Sequence, residues 1–176
     1  MTARVESLFG IPLWVLEGDL LEGSLEWALD FKRKNPDGAQ MTNQGGYHSR
    51  DMQDEFPFFD HLKSRIETLP RCKVVSAWIN VNGQGHSNSI HTHPLTDIAL
   101  VWYLTNNQNA LRLVDPLGGM KHKLLRALDY TDMDDTNLIR ATAGDMVAFP
   151  GFIPHLVEPN KEETERVSIA MNLVCP

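Results

Sequence analysis

Cysteine is scarce in this chain of 176 residues: it has only Cys72 and Cys175. Neither belongs to a C-x-x-C pair, which excludes a zinc ribbon and a thioredoxin-type redox centre, and two ordinary thiols in a reducing compartment are expected. Long apolar runs are missing as well; nothing approaches the ~20 consecutive apolar residues of a membrane helix. The opening stretch Met1 to Ser7 carries an early acid, Glu6, and no apolar core, so no secretory signal is read there and a cytoplasmic location is the expectation. Positive charge is short too. Lys plus Arg number 16 against 23 Asp plus Glu, a net charge of −7, and a surface for nucleic-acid phosphates needs clustered bases. Neither a nucleic acid nor a membrane is expected as partner. A small anion held by one or two cations remains open. Internal repeats and low-complexity tracts are absent.

What is present is ordinary globular composition, 42% hydrophobic and 22% charged. A chain of this length buries roughly 70% of its unfolded surface and needs no metal or disulfide to fold. One domain over 1–176 is expected, with 1–70 as a helical buttress and loops and 71–176 as the core that carries the site. Asp19 and Glu22 have the spacing of a capping box, followed by Leu21, Leu25, Ala28 and Leu29 at helical intervals, and Asn35-Pro36-Asp37-Gly38 ends that helix. A glycine-rich loop spans Gln44 to Ser49. A second helix is predicted from Pro57 to Leu69, closed by Pro70. From Cys72 the period becomes two. Val75, Ala77, Ile79 and Val81 alternate with Ser76, Trp78, Asn80 and Asn82, and further short strands follow at 89–93, 98–104, 110–114, 138–142, 146–149, 155–158 and 166–174. About eight short strands between turn residues predict a mainly β barrel or jelly roll with the two helices packed outside the sheet. The acidic stretch Asp129 to Asp135 lacks the glycine and terminal glutamate of an EF-hand and reads as a solvated loop.

Three signals carry chemistry. In the last strand, Arg166, Ser168, Ala170 and Asn172 share one face and Val167, Ile169, Met171 and Leu173 the other. A guanidinium and a hydroxyl aimed inward would grip a carboxylate; a surface arginine on an edge strand is the plainer alternative. His91 and His93 lie two apart on a strand, so both imidazoles face one way, as a first-row transition metal requires. His155 follows a Pro/Gly turn, where a lone histidine is either structural or a ligand. His48, His61, His86 and His122 fall in loops or on a helix and are assigned no role.

In the order H-x-H, distant His, then Arg-x-Ser, the chain resembles the Fe(II)/2-oxoglutarate-dependent dioxygenase superfamily. It is similar in particular to a bacterial and phage branch of 2-oxoglutarate-Fe(II) oxygenases. The matching stretches are Trp78 to Asn82, His91 to Pro94, Trp102-Tyr103, Phe149 to Asn160 and Arg166 to Asn172, with the loop Asn43 to Ser49 beside them. The resemblance implies a double-stranded β-helix, the jelly roll also found in cupins. It implies an oxidoreductase with Fe(II), 2-oxoglutarate as co-substrate and dioxygen, which couples oxidative decarboxylation of 2-oxoglutarate to hydroxylation of a small-molecule or peptide substrate. It implies His91, His93 and His155 as metal ligands, Arg166 and Ser168 on the far carboxylate of 2-oxoglutarate, Tyr103 as a hydrogen bond to it, and Trp78, Asn80, Asn82 and Asn172 around the substrate; for Trp78 and Tyr103, packing in the core is the alternative. The superfamily's usual carboxylate position holds His93, and Asp97 is the alternative third ligand. His93 is favoured, because it follows His91 on one strand whereas Asp97 lies past Pro94. Ala99-Leu100 stands where the branch often has Ser-Gly. Two other classes stay open: a cupin-like three-histidine metalloprotein that does not use 2-oxoglutarate, and a non-catalytic jelly-roll module that binds a carboxylate.

Overall fold

The computed structural model describes residues 3–8, 10–69, 71–106, 110–128 and 135–176. Pro70 and residues 129–134 of the acidic stretch lie outside them.

Strands β1 (Ala3–Leu8), β2 (Ile11–Leu16), β4 (Tyr47–His48), β5 (Lys73–Asn82), β7 (Ile98–Tyr103), β10 (Met146–Pro150) and β12 (Arg166–Val174) form a seven-stranded sheet in the order β1-β2-β10-β7-β12-β5-β4. Strands β3 (Asn43–Gln44), β6 (Ser87–His91), β8 (Leu111–Val114), β9 (Thr136–Ile139) and β11 (His155–Val157) form a five-stranded sheet in the order β3-β6-β11-β8-β9. Every pairing is antiparallel. The two sheets make a jelly roll, as the strand count in the sequence predicts.

Alternation in the central strands sorts the large sheet into two faces. Ala77, Ile79, Val81, Leu100, Trp102, Ile169 and Met171 are buried against α1 (Ser24–Lys34) and α2 (Phe59–Ile66), through Ala28, Leu62 and Ile66. Each fully buried Leu, Ile or Met side chain there contributes about 1.5–3 kcal/mol. The other face meets the small sheet around Tyr103, Leu111, Leu113, Val147, Phe149 and Ile153. The two expected helices therefore do pack outside the sheet.

Three expectations about the elements are corrected. The capping box does not form: α1 starts at Ser24 behind Gly23, whose φ is 76°, with no side-chain cap. The cause is tertiary. The backbone of 18–20 lies so close against Gly144 that a Cβ there would stand 2.2 Å from the Gly18 carbonyl oxygen, which leaves no room for a helical turn at Asp19. Helix α2 is shorter at both ends than Pro57 to Leu69, and its C-terminus tightens into i→i+3 bonds from Thr68 and Leu69. Third, Cys72 and Cys175 are not free thiols but a disulfide. The β5–β12 ladder runs to Lys73 opposite Val174, so residues distant in sequence arrive side by side. The cytoplasmic expectation thereby loses the support it took from free thiols. Among the described residues no helix is long and apolar enough to cross a membrane.

The elements not expected are the β1–β2 hairpin, the two-residue strands β3 and β4, and α3 (Gly118–Ala127). Pro12 breaks the appearance of a strand at β2, yet it sits opposite Ser7 in the outermost pair of the sheet, where its missing N–H is tolerated. Helix α3 opens on two glycines and leaves Met120 and Leu124 exposed, so little in its sequence announces it.

Candidate metal and co-substrate site

Between the sheets lies a cavity of about 380 Å³. Its floor is the inner face of the large sheet, where the registers fix the rows. Asn82 stands beside Arg166. Next come His48, Asn80, Ser168 and Tyr103; then Trp78, Ala170 and Val101; then Ser76, Asn172 and Ala99. Its roof is the small sheet.

His91 ends β6 and His155 begins β11, and the ladder sets them directly opposite each other. Their ring centroids are 4.2 Å apart. His93 lies beyond the end of β6, so the continuous strand expected from His91 to His93 does not exist. Pro94 and Leu95, the latter at φ 68°, turn the chain away instead. His93 is held by other means. Its N–H donates to the Gly151 carbonyl (2.8 Å), and the Gly151 N–H donates to the Asp97 carbonyl (2.9 Å). Gly151 packs too tightly for a side chain: a Cβ would lie 2.4 Å from the Thr96 oxygen. The loop so laced brings the His93 ring to 5.2 Å from His91 and 5.0 Å from His155.

The ligating atoms of the three histidines all fall within 4.8 Å of one another, and among the described residues no carboxylate joins them. Asp97 is directed elsewhere: its Oδ2 accepts the Cys175 N–H at 2.7 Å. The donor set suits a transition metal. Nδ1 of His91 meets the Ser89 carbonyl (2.7 Å), Nδ1 of His155 the Ile153 carbonyl (2.9 Å), and Nδ1 of His93 the Asn172 Oδ1 (2.6 Å). A carbonyl oxygen only accepts, so each Nδ1 carries the proton and the lone pair is left on Nε2. Burial lowers the pKa of His91 and His93 and, with the neighbouring His91, pushes His155 down to about 3. The imidazoles are neutral at pH 7 and a metal displaces no proton from them.

Arg166 lies at the other end of the cavity, only 5% exposed. Its Nη2 donates to the Glu158 carbonyl at 3.0 Å, and among the described residues no carboxylate pairs with it. Burial lowers its pKa while Tyr103 opposes the shift, and a guanidinium stays charged regardless. A buried cation beside a cavity, without an acid of its own, calls for an anionic ligand. Ser168 and Tyr103 flank it by register. Asn82 is tied by its Nδ2 to Asn88 (2.9 Å), and the Oδ1 atoms of Asn80 and Asn82 are buried without a partner.

Sequence reasoning missed His48. Its Nδ1 faces the Ser49 carbonyl (2.7 Å) and its ring stacks on Trp78, with centroids 5.4 Å apart. The adjacent Tyr47-His48 bridge onto β5 is two residues long, too short for any periodicity to show. Trp78 in turn stacks on His93 at 5.7 Å, so it meets two imidazoles. His61 is exposed on α2, and His86 and His122 lie away from the cavity.

A family model described as "Putative 2OG-Fe(II) oxygenase" matches residues 76–172. The fold resembles that of SnoN, a non-haem α-ketoglutarate-dependent epimerase from nogalamycin biosynthesis, with a TM-score of 0.65 and 13% identity over 93% of this chain and 77% of that one. It also resembles HygX from Streptomyces hygroscopicus, solved with nickel, 2-oxoglutarate and hygromycin B bound, with a TM-score of 0.65 and 9% identity over 93% and 82% of the two chains. SnoK, an α-ketoglutarate-dependent carbocyclase from nogalamycin biosynthesis, gives 0.64 and 14% over 93% and 79%. At such identities the likeness is one of fold, the double-stranded β-helix. No curated protein matches the chain.

Proposed function

The chain belongs to this family of 2OG-Fe(II) oxygenases, and from that premise we propose that it couples the oxidative decarboxylation of 2-oxoglutarate to hydroxylation of a small-molecule or peptide substrate. The observation that carries the reading is the pairing, in one cavity, of three neutral imidazoles with a buried guanidinium that no acid among the described residues neutralises. His91, His93 and His155 would hold Fe(II) through Nε2. Arg166 and Ser168 would hold the far carboxylate of 2-oxoglutarate, with Tyr103 beside Ser168 at the same end. With dioxygen, the bound iron and co-substrate supply the oxidising power that a C–H bond demands. The chain's own part is to fix distances, exclude water and keep three ligands deprotonated at Nε2. Trp78, Asn80, Asn82 and Asn172 border the space left for the substrate.

SnoN and SnoK are described as an epimerase and a carbocyclase. Those outcomes would consume 2-oxoglutarate as hydroxylation does but leave no oxygen atom in the product. The test is a substrate panel with Fe(II), scored first for succinate release and then for product mass under ¹⁸O₂. Hydroxylation adds one labelled oxygen. Failure of the iron-loaded protein to bind 2-oxoglutarate would favour a three-histidine metalloprotein of another kind. Imidazole ligands bind Zn, Ni and Cu more tightly than Fe(II), so the panel requires protein stripped and reloaded with iron.

A further inference from the structure

We propose that Asn172, braced by Ser76, is the positioning residue of the metal centre: it holds the His93 ring in the tautomer and plane that leave Nε2 for the ion, with Trp78 as the wall behind it. This rests on His93 as an iron ligand and goes beyond it, because it moves Asn172 and Trp78 from the substrate's surroundings to the support of a ligand.

The three histidines are not held alike. His91 and His155 face each other across the β6–β11 ladder, and each directs Nδ1 at a backbone carbonyl two residues back along its own chain, Ser89 and Ile153. Their tautomers follow from the backbone alone. His93 has neither advantage. It stands on a loop past the end of β6, and its Nδ1 reaches across to the opposite sheet, to a side chain 79 positions away, Asn172 Oδ1 at 2.6 Å.

A carboxamide can present either its oxygen or its nitrogen, so its own orientation matters. The Asn172 Nδ2 donates to Ser76 Oγ at 3.0 Å, and Ser76 is the residue directly opposite Asn172 in the β5–β12 ladder. In this arrangement Nδ2 faces Ser76 and Oδ1 faces His93. The ring plane has a second restraint. Trp78, two residues along β5 from Ser76, stacks on His93 at 5.7 Å and 22°, and itself stacks with His48 at 5.4 Å and 13°. Ser76, Asn172, Trp78 and His48 thus make a bracket on one sheet for a ligand carried by a loop of the other. Without the Asn172 acceptor, His93 is free to carry its proton on Nε2, which puts its lone pair on Nδ1 rather than on the atom that faces the other two histidines. Loss of an outer partner of this kind costs ~10–100-fold in metal affinity.

The experiment is Co(II) binding by wild type, Asn172→Ala, Asn172→Asp, Ser76→Ala and His93→Ala, measured by competition with a chromophoric chelator together with the Co(II) absorption spectrum. Asn172→Ala should bind about 10–100-fold more weakly with an altered spectrum. Asn172→Asp, which can only accept at neutral pH, should match or exceed wild type, and Ser76→Ala should fall between. A packing role alone would not be rescued by aspartate, so equal weakness in Asn172→Ala and Asn172→Asp overturns the proposal. So does wild-type affinity in Asn172→Ala beside a weakened His93→Ala. Wild-type affinity in His93→Ala would instead bring down the ligand reading beneath it. If Asn172→Ala does not fold, Asn172→Asp and Ser76→Ala decide: full affinity in the first with reduced affinity in the second supports the bracket, and any other pattern ends it.

Discussion

At the scale of single residues, the site is an arrangement of groups whose charge is set by what surrounds them. Arg166 is buried, charged and bonded to one backbone carbonyl, so most of its donors are available to a carboxylate. Replacing it with alanine should weaken 2-oxoglutarate binding to metal-loaded protein by a hundredfold or more, since breaking a buried charge pair costs about 3–5 kcal/mol. Lysine should restore only part, because an ammonium lacks the planar fork. Calorimetric titration of 2-oxoglutarate into nickel-loaded wild type, Arg166→Ala and Arg166→Lys reads both effects, and unchanged affinity in Arg166→Ala would place the anchor elsewhere. Residues of this kind were visible in the sequence where they lie on long strands, because a period of two states which side chains share a face. The link from His93 to Asn172 was not visible, since it depends on the register between separate strands and on a loop that leaves its strand early. His48 was hidden for a similar reason: its partner Trp78 is a neighbour only once β4 has docked on β5.

Secondary-structure elements show the same division. Strands β5 and β12 are long and alternate strictly, β7 is an unbroken apolar run, and the positions of all three followed from the sequence. The edge hairpin β1–β2, the two-residue strands and the exposed α3 carry little pattern. The start of α1 was misread because a local capping signal lost to the close approach of Gly144. That same turn is the target of an unusual cross-element tie. Arg65, on the inner side of α2 and 4% exposed, donates from Nη1 to the Gly144 carbonyl (2.8 Å) and from Nη2 to the Leu16 carbonyl at the end of β2. Gly144 also accepts the Trp102 indole N–H at 3.2 Å. One guanidinium therefore fastens α2, β2 and the turn before β10 together. Arg65→Met should retain the packing of the stem but take the guanidinium donor from the Leu16 carbonyl and leave the Gly144 carbonyl with the Trp102 indole. About 2–3 kcal/mol of stability should go, or roughly 5–10 °C in a thermal melt. A melt within a degree or two of wild type would show that water replaces the guanidinium without loss.

For the molecule as a whole, the buried histidines tie stability to pH. His155 is neutral when folded, with its pKa pushed down to about 3, while in the unfolded chain it titrates near 6.5. The unfolded state therefore binds the extra proton between those values. Stability is complete above pH ~6.5 and falls as pH drops toward ~3, by a few kcal/mol from this group, with His91 and His93 acting in the same direction. Urea unfolding of metal-free protein between pH 7.5 and 4.5 should show the decline, and His155→Asn should flatten it; an unchanged slope in the variant would assign the decline to other groups. The disulfide was illegible for a plain reason: spacing along the chain says nothing about which strand ends meet. The position of β12 has a consequence for how the protein is made. It follows both of its partners in the chain, yet it fills the gap between β7 and β5 at the middle of the larger sheet. Until residues 166–174 have emerged, β7 and β5 lack the strand that joins them, and unpaired strand edges invite wrong partners. A message cut short there would not yield a slightly trimmed enzyme. It would remove the midline of the sheet together with Arg166 and Ser168, the residues proposed to anchor the co-substrate, and Asn172, the proposed brace of His93.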